Sequence, residues 1–326
     1  MAVRLFNETD WENLSEENRE LYDDYILELQ SQGKAKKTID QYGYDLRAFF
    51  CYLVNEKKNE YILNLRRRDF RNFFLKLQRA GTSAARINRF QSSLRNLLEF
   101  ACESEDYEGY EINAMQHIRG LQKEPVREIV FLTDRQVNIL IDELLKRKHY
   151  QKALFVSLAY DSAGRRNELH QIKKNDFLEN NQTNLVVGKR GKKFKLIYFN
   201  RSKILYKLWM KQRGEDDLDT LWVSGKGSHK RLMTYTTMYG FVDEFREILK
   251  TRTGEDIPLN EHSFRHSCLT NLENGTHHTL KEIGKDHLDI RLLQTLAHHS
   301  DISTTQSYIK DDSEEQLANA LGIELN

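Results

Sequence analysis

The sequence predicts a mainly α-helical protein with a small β-sheet, divided into two domains. Three observations predict it. Apolar residues recur at helical spacing in stretch after stretch, some of them opened by a capping residue such as Thr38 or Thr133 and some closed by glycine, as at Gly33 and Gly81. One segment, L-V-V-G-K-R-G-K-K-F-K-L-I-Y-F, reads instead as two short strands around a basic turn. Between 103 and 130 the periodicity fades around Pro125, one of two prolines in the chain, as it does in a linker. At 326 residues the chain is long for one ordinary domain and comfortable for two. The expected division is a helical domain over 15–102, a linker over 103–130 and a mixed α/β domain over 131–326.

The first helix is expected from about Ser15 to Gly33, with Leu21, Tyr25, Leu27 and Leu29 apolar. Thr38, with Gln41 three residues on, reads as the capping box of a second helix through Ile39, Tyr42, Leu46, Phe49, Phe50 and Leu53. A third covers about Asp69–Gln78. A fourth runs from about Ser83 to Cys102, its stripe formed by Ile87, Phe90, Leu94, Leu97 and Leu98. Four helices with short connectors make a compact bundle. Past the linker, Thr133 and Gln136 form a capping box for a helix carrying Val137, Leu140, Ile141, Leu144 and Leu145. A helix over about Gln151–Tyr160 meets a turn at Ser162-Ala163-Gly164, and a short helix follows from Arg165. After the hairpin, helices are expected near Ser202–Gln212, Tyr235–Lys250, His262–Glu273 and Asp289–Leu296. Ser303 and Gln306 suggest a capping box for a short helix carrying Tyr308, and Leu317, Ala320, Leu321 and Ile323 a last amphipathic piece.

Composition excludes several classes. No apolar run approaches the ~20 residues of a membrane span, and the mixed, acidic start M-A-V-R-L-F-N-E-T-D-W-E is no secretory signal. Cys51, Cys102 and Cys268 are scattered and odd in number, which argues against disulfides or a zinc site and for a reducing cytoplasm. Charge is balanced overall, 50 Lys/Arg against 49 Asp/Glu, yet residues 31–100 hold 15 of the former and 6 of the latter. That local surplus is an electrostatic footprint for polyanions. Lys34, Lys36 and Lys37 lie at one turn, Arg66, Arg67 and Arg68 at another, and Arg86, Arg89 and Arg95 along the fourth helix. Placed so, they can neutralise phosphates; a merely solvated helical surface is the plainer alternative.

Toward the C-terminus the polar residues cluster: A-G-R-R-N-E-L around Arg165 and Glu168, G-K-R-G-K around Lys189, H-S-F-R-H at His262 to His266, and H-H-S-D-I-S-T-T-Q-S-Y ending at Tyr308. Each alone has an ordinary reading, as packing, a salt bridge or a soluble turn. The pairs His277-His278 and His298-His299 tempt a metal reading, but no H-E-x-x-H or carboxylate triad accompanies them, so no metal is expected.

Order and spacing change this. The four motifs resemble those of the tyrosine recombinase (phage integrase) family, whose pattern runs G-x-R-x-x-E-L-like, then G-K-G-x-K, then H-x-x-R-H, then L-G-H-x-x-x-x-T-T-x-x-Y. They occur here in that order, with His299 nine positions before Tyr308 as the pattern requires. The N-terminal G-K-A-K-K-T-I-D-Q-Y-G-Y-D-L-R-A-F-F is similar to the family's core-binding (SAM-like) domain, so the resemblance covers about residues 15–315. Two departures stand out: His298 replaces the glycine before the motif histidine, and Gly164 falls directly before Arg165 rather than two before it. Arg165 is preferred to Arg166 because only it places Glu168 at +3 and Leu169 at +4.

The resemblance implies a site-specific DNA recombinase that cleaves through a 3′-phosphotyrosyl ester, with Tyr308 as nucleophile. Arg165 and Arg265 would neutralise the phosphate, since forked, permanent charges suit a pentacoordinate transition state. His262 would take the phenol proton, Lys189 on its hairpin would protonate the leaving 5′-oxygen, His299 would bond the phosphate, and Glu168 would brace the site. The ester keeps the energy of the broken bond, so no cofactor, ATP or metal is expected. Implied partners are double-stranded DNA, a homo-tetramer passing through a Holliday junction, and accessory DNA-bending proteins. Integration or excision of a phage or transposable element is the leading role. A Xer-like chromosome or plasmid dimer resolvase, a type IB topoisomerase and a non-catalytic DNA-binding protein on the same fold remain as alternatives.

Overall fold

Two separate aromatic-rich cores organise the chain. The computed structural model describes residues 5–122, 129–175, 177 and 181–309, and divides into two compact units, Met1–Arg127 and Glu128–Asn326.

In the first unit a short helix, α1 (Glu8–Glu12), precedes α2 (Glu16–Ser31), α3 (Lys36–Glu56), α4 (Arg67–Arg79) and α5 (Ala84–Glu103). Helix α1, whose Trp11 is buried, lies before the first helix expected from sequence. Apolar stripes meet around Phe49, which stacks on Phe70 at 5.4 Å and meets Phe73 edge-on at 4.9 Å. Ser83 caps α5, accepting the Arg86 amide as the sequence suggests. Thr38 does not open α3. The helix starts two residues earlier, after Ala35, and Thr38 is already inside its first turn. Leu27 also departs from expectation: it is exposed on α2, while Leu21, Tyr25 and Leu29 face the core. Met115 and Ile118, in the stretch expected to be linker, are buried in this core. Pro125 lies outside the described residues.

The second unit is built on α7 (Tyr150–Asp161), buried from Ala153 to Asp161 and apolar on every face apart from Ser157 and Asp161. Beside it lie α6 (Asp134–Lys146), with the Thr133–Gln136 capping box formed, and α8 (Arg166–His170). The hairpin pairs β1 (Gln182–Val187) with β2 (Lys193–Ile197), Val186 opposite Phe194. Val186 and Leu196 face inward while Leu185, Val187 and Ile197 stay exposed, the alternation of a sheet covered on one side. After α9 (Asn200–Arg213) comes a second, smaller pair, β3 (Val223–Ser224) with β4 (Arg231–Leu232); the sequence reading had one sheet. The helix expected over Tyr235–Lys250 is two, α10 (Tyr235–Tyr239) and α11 (Phe241–Thr253), interrupted at Gly240. The chain continues through α12 (Glu261–Glu273), α13 (Thr279–Ile283), which had not been expected, α14 (Ile290–Leu296) and α15 (Ile302–Gln306). Asp301, not Ser303, caps α15, and Tyr308 follows the helix rather than riding on it. Leu317, Ala320, Leu321 and Ile323 lie outside the described residues.

Candidate active site

Arg165 is placed by a forced turn. Where α7 ends, buried Ala163 takes a left-handed φ of 51°. A Cβ on the next residue, Gly164, would meet Ser162 Oγ at 2.9 Å and Leu169 Cδ2 at 3.1 Å. Arg165 then caps α8, and Glu168 holds it twice: Oε2 accepts its amide at 2.8 Å, Oε1 its guanidinium at 3.0 Å. The +3 spacing is thus that of a capping box, with the carboxylate bound to both backbone and side chain. Arg166 points elsewhere, over the rings of Tyr235 and Tyr239 at 3.8 and 4.7 Å and near Glu261 at 3.5 Å.

Helix α12 supplies the next group. Asn260 caps it, accepting the His262 amide at 2.9 Å, and His262, Arg265 and His266 follow at spacings that share one face. Arg265 is 1% exposed. Its guanidinium donates to the Ala163 carbonyl, to the Ala297 carbonyl at 2.6 Å and to His299 Nε2 at 2.6 Å. It therefore ties together the α7–α8 turn, α12 and the end of α14. Its Nε is buried without a partner among the described residues. Three of five donors are committed, leaving two for an incoming anion.

The end of α14 supplies the third group. The His298 amide returns to Thr295 O at 3.0 Å and the His299 amide to Gln294 O at 3.1 Å, while His298 takes φ 53°. This is a Schellman cap with histidine at its left-handed position, which explains why the family pattern has glycine there. Because a guanidinium only donates, His299 Nε2 must accept, and its Nδ1–H donates to Thr305 Oγ1 at 3.0 Å. Tyr308 completes the site. Its ring stacks on His266 at 4.3 Å, lies 5.0 Å from the His299 ring and sits 5.1 Å from the Arg265 guanidinium carbon. His266 Nδ1 donates to the Tyr308 carbonyl at 3.0 Å.

Burial and concentrated positive charge set the electrostatics. Burial, then the Arg265 and Arg165 charges, pull His299 down to about 3. His262 is lowered by burial and by Arg165, Arg265 and Arg166, partly offset by Glu261. Arg265 itself is drawn down to about 10 by burial and by Arg165. The pocket is neutral in its imidazoles and rich in guanidinium charge, which is what an anionic group would relieve.

Residues 130–315 match the model of the Phage integrase family, and residues 22–105 that of the phage integrase N-terminal SAM-like domain. The chain belongs to the phage integrase family. It is 27% identical to the SPbeta prophage-derived recombinase-like protein YomM of Bacillus subtilis (strain 168), over 97% of this chain and 94% of that one. It is 28% identical to tyrosine recombinase XerA of Thermococcus onnurineus (strain NA1), over 89% and 90%. Among solved structures, a lambda integrase tetramer bound to a Holliday junction matches with TM-score 0.66 and 16% identity, over 90% of this chain and 77% of that one. That last likeness speaks for the fold. Family and relatives together make the activity site-specific DNA recombination.

In this recombinase Arg165, Glu168, Arg265, His299 and Tyr308 gather at one pocket, and His262 stands exposed within reach of the Arg165 and Arg265 charges. Lys189 does not join them: it stands exposed in the turn between β1 and β2, without a hydrogen bond or ion pair among the described residues. The charge that reaches His298 and His299 from this hairpin is that of Lys192. Sequence reasoning passed over His266 and Thr305, although both sit inside the quoted motifs; their contacts with Tyr308 and His299 need the fold. In the first unit Lys34, Lys36, Lys37, Arg66, Arg67 and Arg68 are exposed and Arg86 half-buried. Arg89 and Arg95 are occupied instead. Arg89 grips buried Asp45 through two bonds of 2.9 and 2.8 Å, and Arg95 reaches the Ile118 carbonyl at 2.9 Å.

Outside the site, Asp161, His277 and His278 bring their ligand atoms within 4.8 Å of one another. Burial works against the Asp161 charge, but Arg201 at 2.7 Å and His278 at 2.8 Å hold its carboxyl below the usual range. A carboxylate already neutralised by a guanidinium reads as a brace between α7, α9 and the α12–α13 turn. Among the described residues no helix is long and apolar enough to cross a membrane.

Proposed function

We propose that this recombinase cleaves DNA with Tyr308 of its own protomer, forming a 3′-phosphotyrosyl ester that a 5′-hydroxyl from a second duplex resolves. The observation that carries the reading is the position of the Tyr308 ring, against Arg265, His266 and His299 of the same chain. Arg165 and Arg265 neutralise the scissile phosphate, Arg265 with its two uncommitted donors. His262, one turn before Arg265 and held neutral, accepts the phenol proton. His299 bonds the phosphate once Arg265 releases its Nε2 and the ring takes its other tautomer, with Nε2–H donating to the phosphate and Nδ1 accepting from the Thr305 hydroxyl. Glu168 keeps Arg165 in place. Lys189 protonates the leaving 5′-oxygen, which requires the hairpin turn to come down on the DNA. Because the ester conserves the bond energy, neither ATP nor a metal is required.

The first unit grips the duplex through Lys34, Lys36, Lys37, Arg66, Arg67 and Arg86, while Arg89 and Arg95 hold the bundle together. Four protomers would act on paired sites, as in the lambda integrase tetramer on a Holliday junction. The biological role that fits best is integration or excision of a phage or transposable element, since the match to the prophage-derived protein spans nearly the whole of both chains. The similarity to XerA supports a second reading, dimer resolution.

The test is a denaturant-resistant protein–DNA adduct on nicked substrates spanning the protein's own recombination site. Wild type should form it at the 3′ phosphate with or without EDTA, and Tyr308→Phe should not. Binding without any adduct would leave a DNA-binding module; an adduct in Tyr308→Phe would mean another nucleophile.

A further inference from the structure

His298 occupies a position that strains it. A non-glycine residue in the left-handed region costs about 1 kcal/mol or more, and this one is held at φ 53° directly before His299. Its ring is not idle. It stacks on Phe194 of β2 with centroids 3.7 Å apart and planes 23° from parallel. Phe194 in turn lies against Gly188, where a Cβ would come within 2.6 Å of Phe194 Cε1 and 3.3 Å of Glu168 Oε1. Gly188 donates its amide to Lys192 O at 2.8 Å, closing the turn, and the next residue is Lys189. Glu168, Gly188, Phe194 and His298 thus form a continuous contact running from the arginine pocket to the turn of the hairpin.

We infer that His298 is a positioning residue: its stack on Phe194 clamps the hairpin to the phosphate pocket and so fixes where the Gly188–Lys189 step enters the site. The inference rests on Lys189 as the proton donor to the 5′-oxygen. The chemistry at stake is one proton transfer. Tyr308 oxygen bonds to phosphorus, the bond from phosphorus to the 5′-oxygen breaks, and the electron pair left on that oxygen takes the Lys189 proton. Gly188 packs against Phe194, so loss of the His298 ring frees the lysine next to it while leaving Arg165, Arg265 and His299 in place. The backbone tolerates that loss, since glycine adopts φ 53° without strain.

A bridging sulfur separates positioning of the acid from every other role. A 5′-bridging phosphorothiolate leaves as a thiolate and needs no proton, so a defect in proton delivery disappears on it. Cleavage of oxygen and sulfur substrates would be compared for wild type, Lys189→Ala, His298→Gly, His298→Asn and Phe194→Leu, with DNA affinity measured alongside. On the oxygen substrate His298→Gly and Phe194→Leu should lose about tenfold or more, and Lys189→Ala more still. On the sulfur substrate all should return to within about threefold of wild type, with DNA affinity unchanged throughout. His298→Asn, whose side chain tolerates the left-handed backbone but cannot stack, should behave as His298→Gly does. Equal losses of His298→Gly on both substrates, or no loss on either, would overturn the clamp while Lys189 stands. Failure of sulfur to rescue Lys189→Ala would overturn Lys189 as donor and the clamp with it.

Discussion

Arg265 shows how much of the site one side chain can decide. It is nearly wholly buried, yet it faces two carbonyls, an imidazole and the Tyr308 ring. A lysine keeps the charge but not the fork, so it cannot span Ala163 and Ala297 together. Arg265→Lys should therefore lose about two orders of magnitude or more in adduct formation. It should also lose about 2–4 kcal/mol of stability in urea unfolding, because buried carbonyls lose their donor. Unchanged unfolding would mean that the carbonyl contacts contribute nothing. The buried imidazoles add a pH dependence of definite sign. His277 and His298 are lowered to about 4 and His299 to about 3 from 6.5, each chiefly by burial. Between those values the unfolded chain binds more protons than the folded one, so stability is complete above pH 6.5 and declines as pH falls. Thermal midpoints should drop on acidification from pH 7 to about pH 4.5, and by less in His298→Gly. An equal drop would remove His298 from the account. His262 and Arg265 were legible because their chemistry and spacing sit in one motif, and Tyr308 because it ends another, nine positions after His299. His266 and Thr305 were not, because nothing in their local sequence announces a contact with Tyr308 or His299.

At the level of elements, charge proved harder to read than periodicity. The apolar stripes of α2 to α5 and the caps at Ser83 and Thr133 follow from spacing and short-range hydrogen bonds, both visible in sequence. Thr38 and Ser303 misled because a Thr or Ser three residues before Gln fits a capping box equally well inside a first turn, and Ala35 and Asp301 open those helices instead. Arg89 and Arg86 make the same point on α5. They look alike in sequence, yet Arg89 neutralises Asp45, which is fully buried on α3 and also bound by Ser93 at 3.1 Å. Arg89→Ala should cost about 3 kcal/mol or more, from an orphaned buried carboxylate. Arg86→Ala should leave stability alone, weaken DNA binding uniformly across sequences and reduce the salt slope by about 1. Salt-titrated DNA binding and urea unfolding of both variants would check the division; identical behaviour would refute it.

At the scale of the whole molecule, the question is whether one protomer contains a complete site. Motif order says that all the parts belong to one chain, but not that they meet, since a nucleophile near the end of a chain can serve a neighbour. The fold supplies a physical preference. Tyr308 is held at both ends of its residue, its carbonyl by His266 and its ring by His266, His299 and Arg265. Delivering it to another protomer would break a stack, a cation–π contact and a hydrogen bond together, each worth on the order of 1 kcal/mol. Cleavage in cis keeps them until the phosphate arrives. Mixing Tyr308→Phe with Arg165→Ala on a substrate with two binding sites separates the cases. The first protomer keeps the phosphate grip and lacks the nucleophile; the second has the reverse. In cis neither can cleave, and no adduct should appear at any mixing ratio. In trans the tyrosine of the Arg165→Ala protomer would attack the phosphate gripped by its neighbour, and adduct would peak near equal proportions. Such a peak would mean that the contacts around Tyr308 are a resting arrangement, released on assembly.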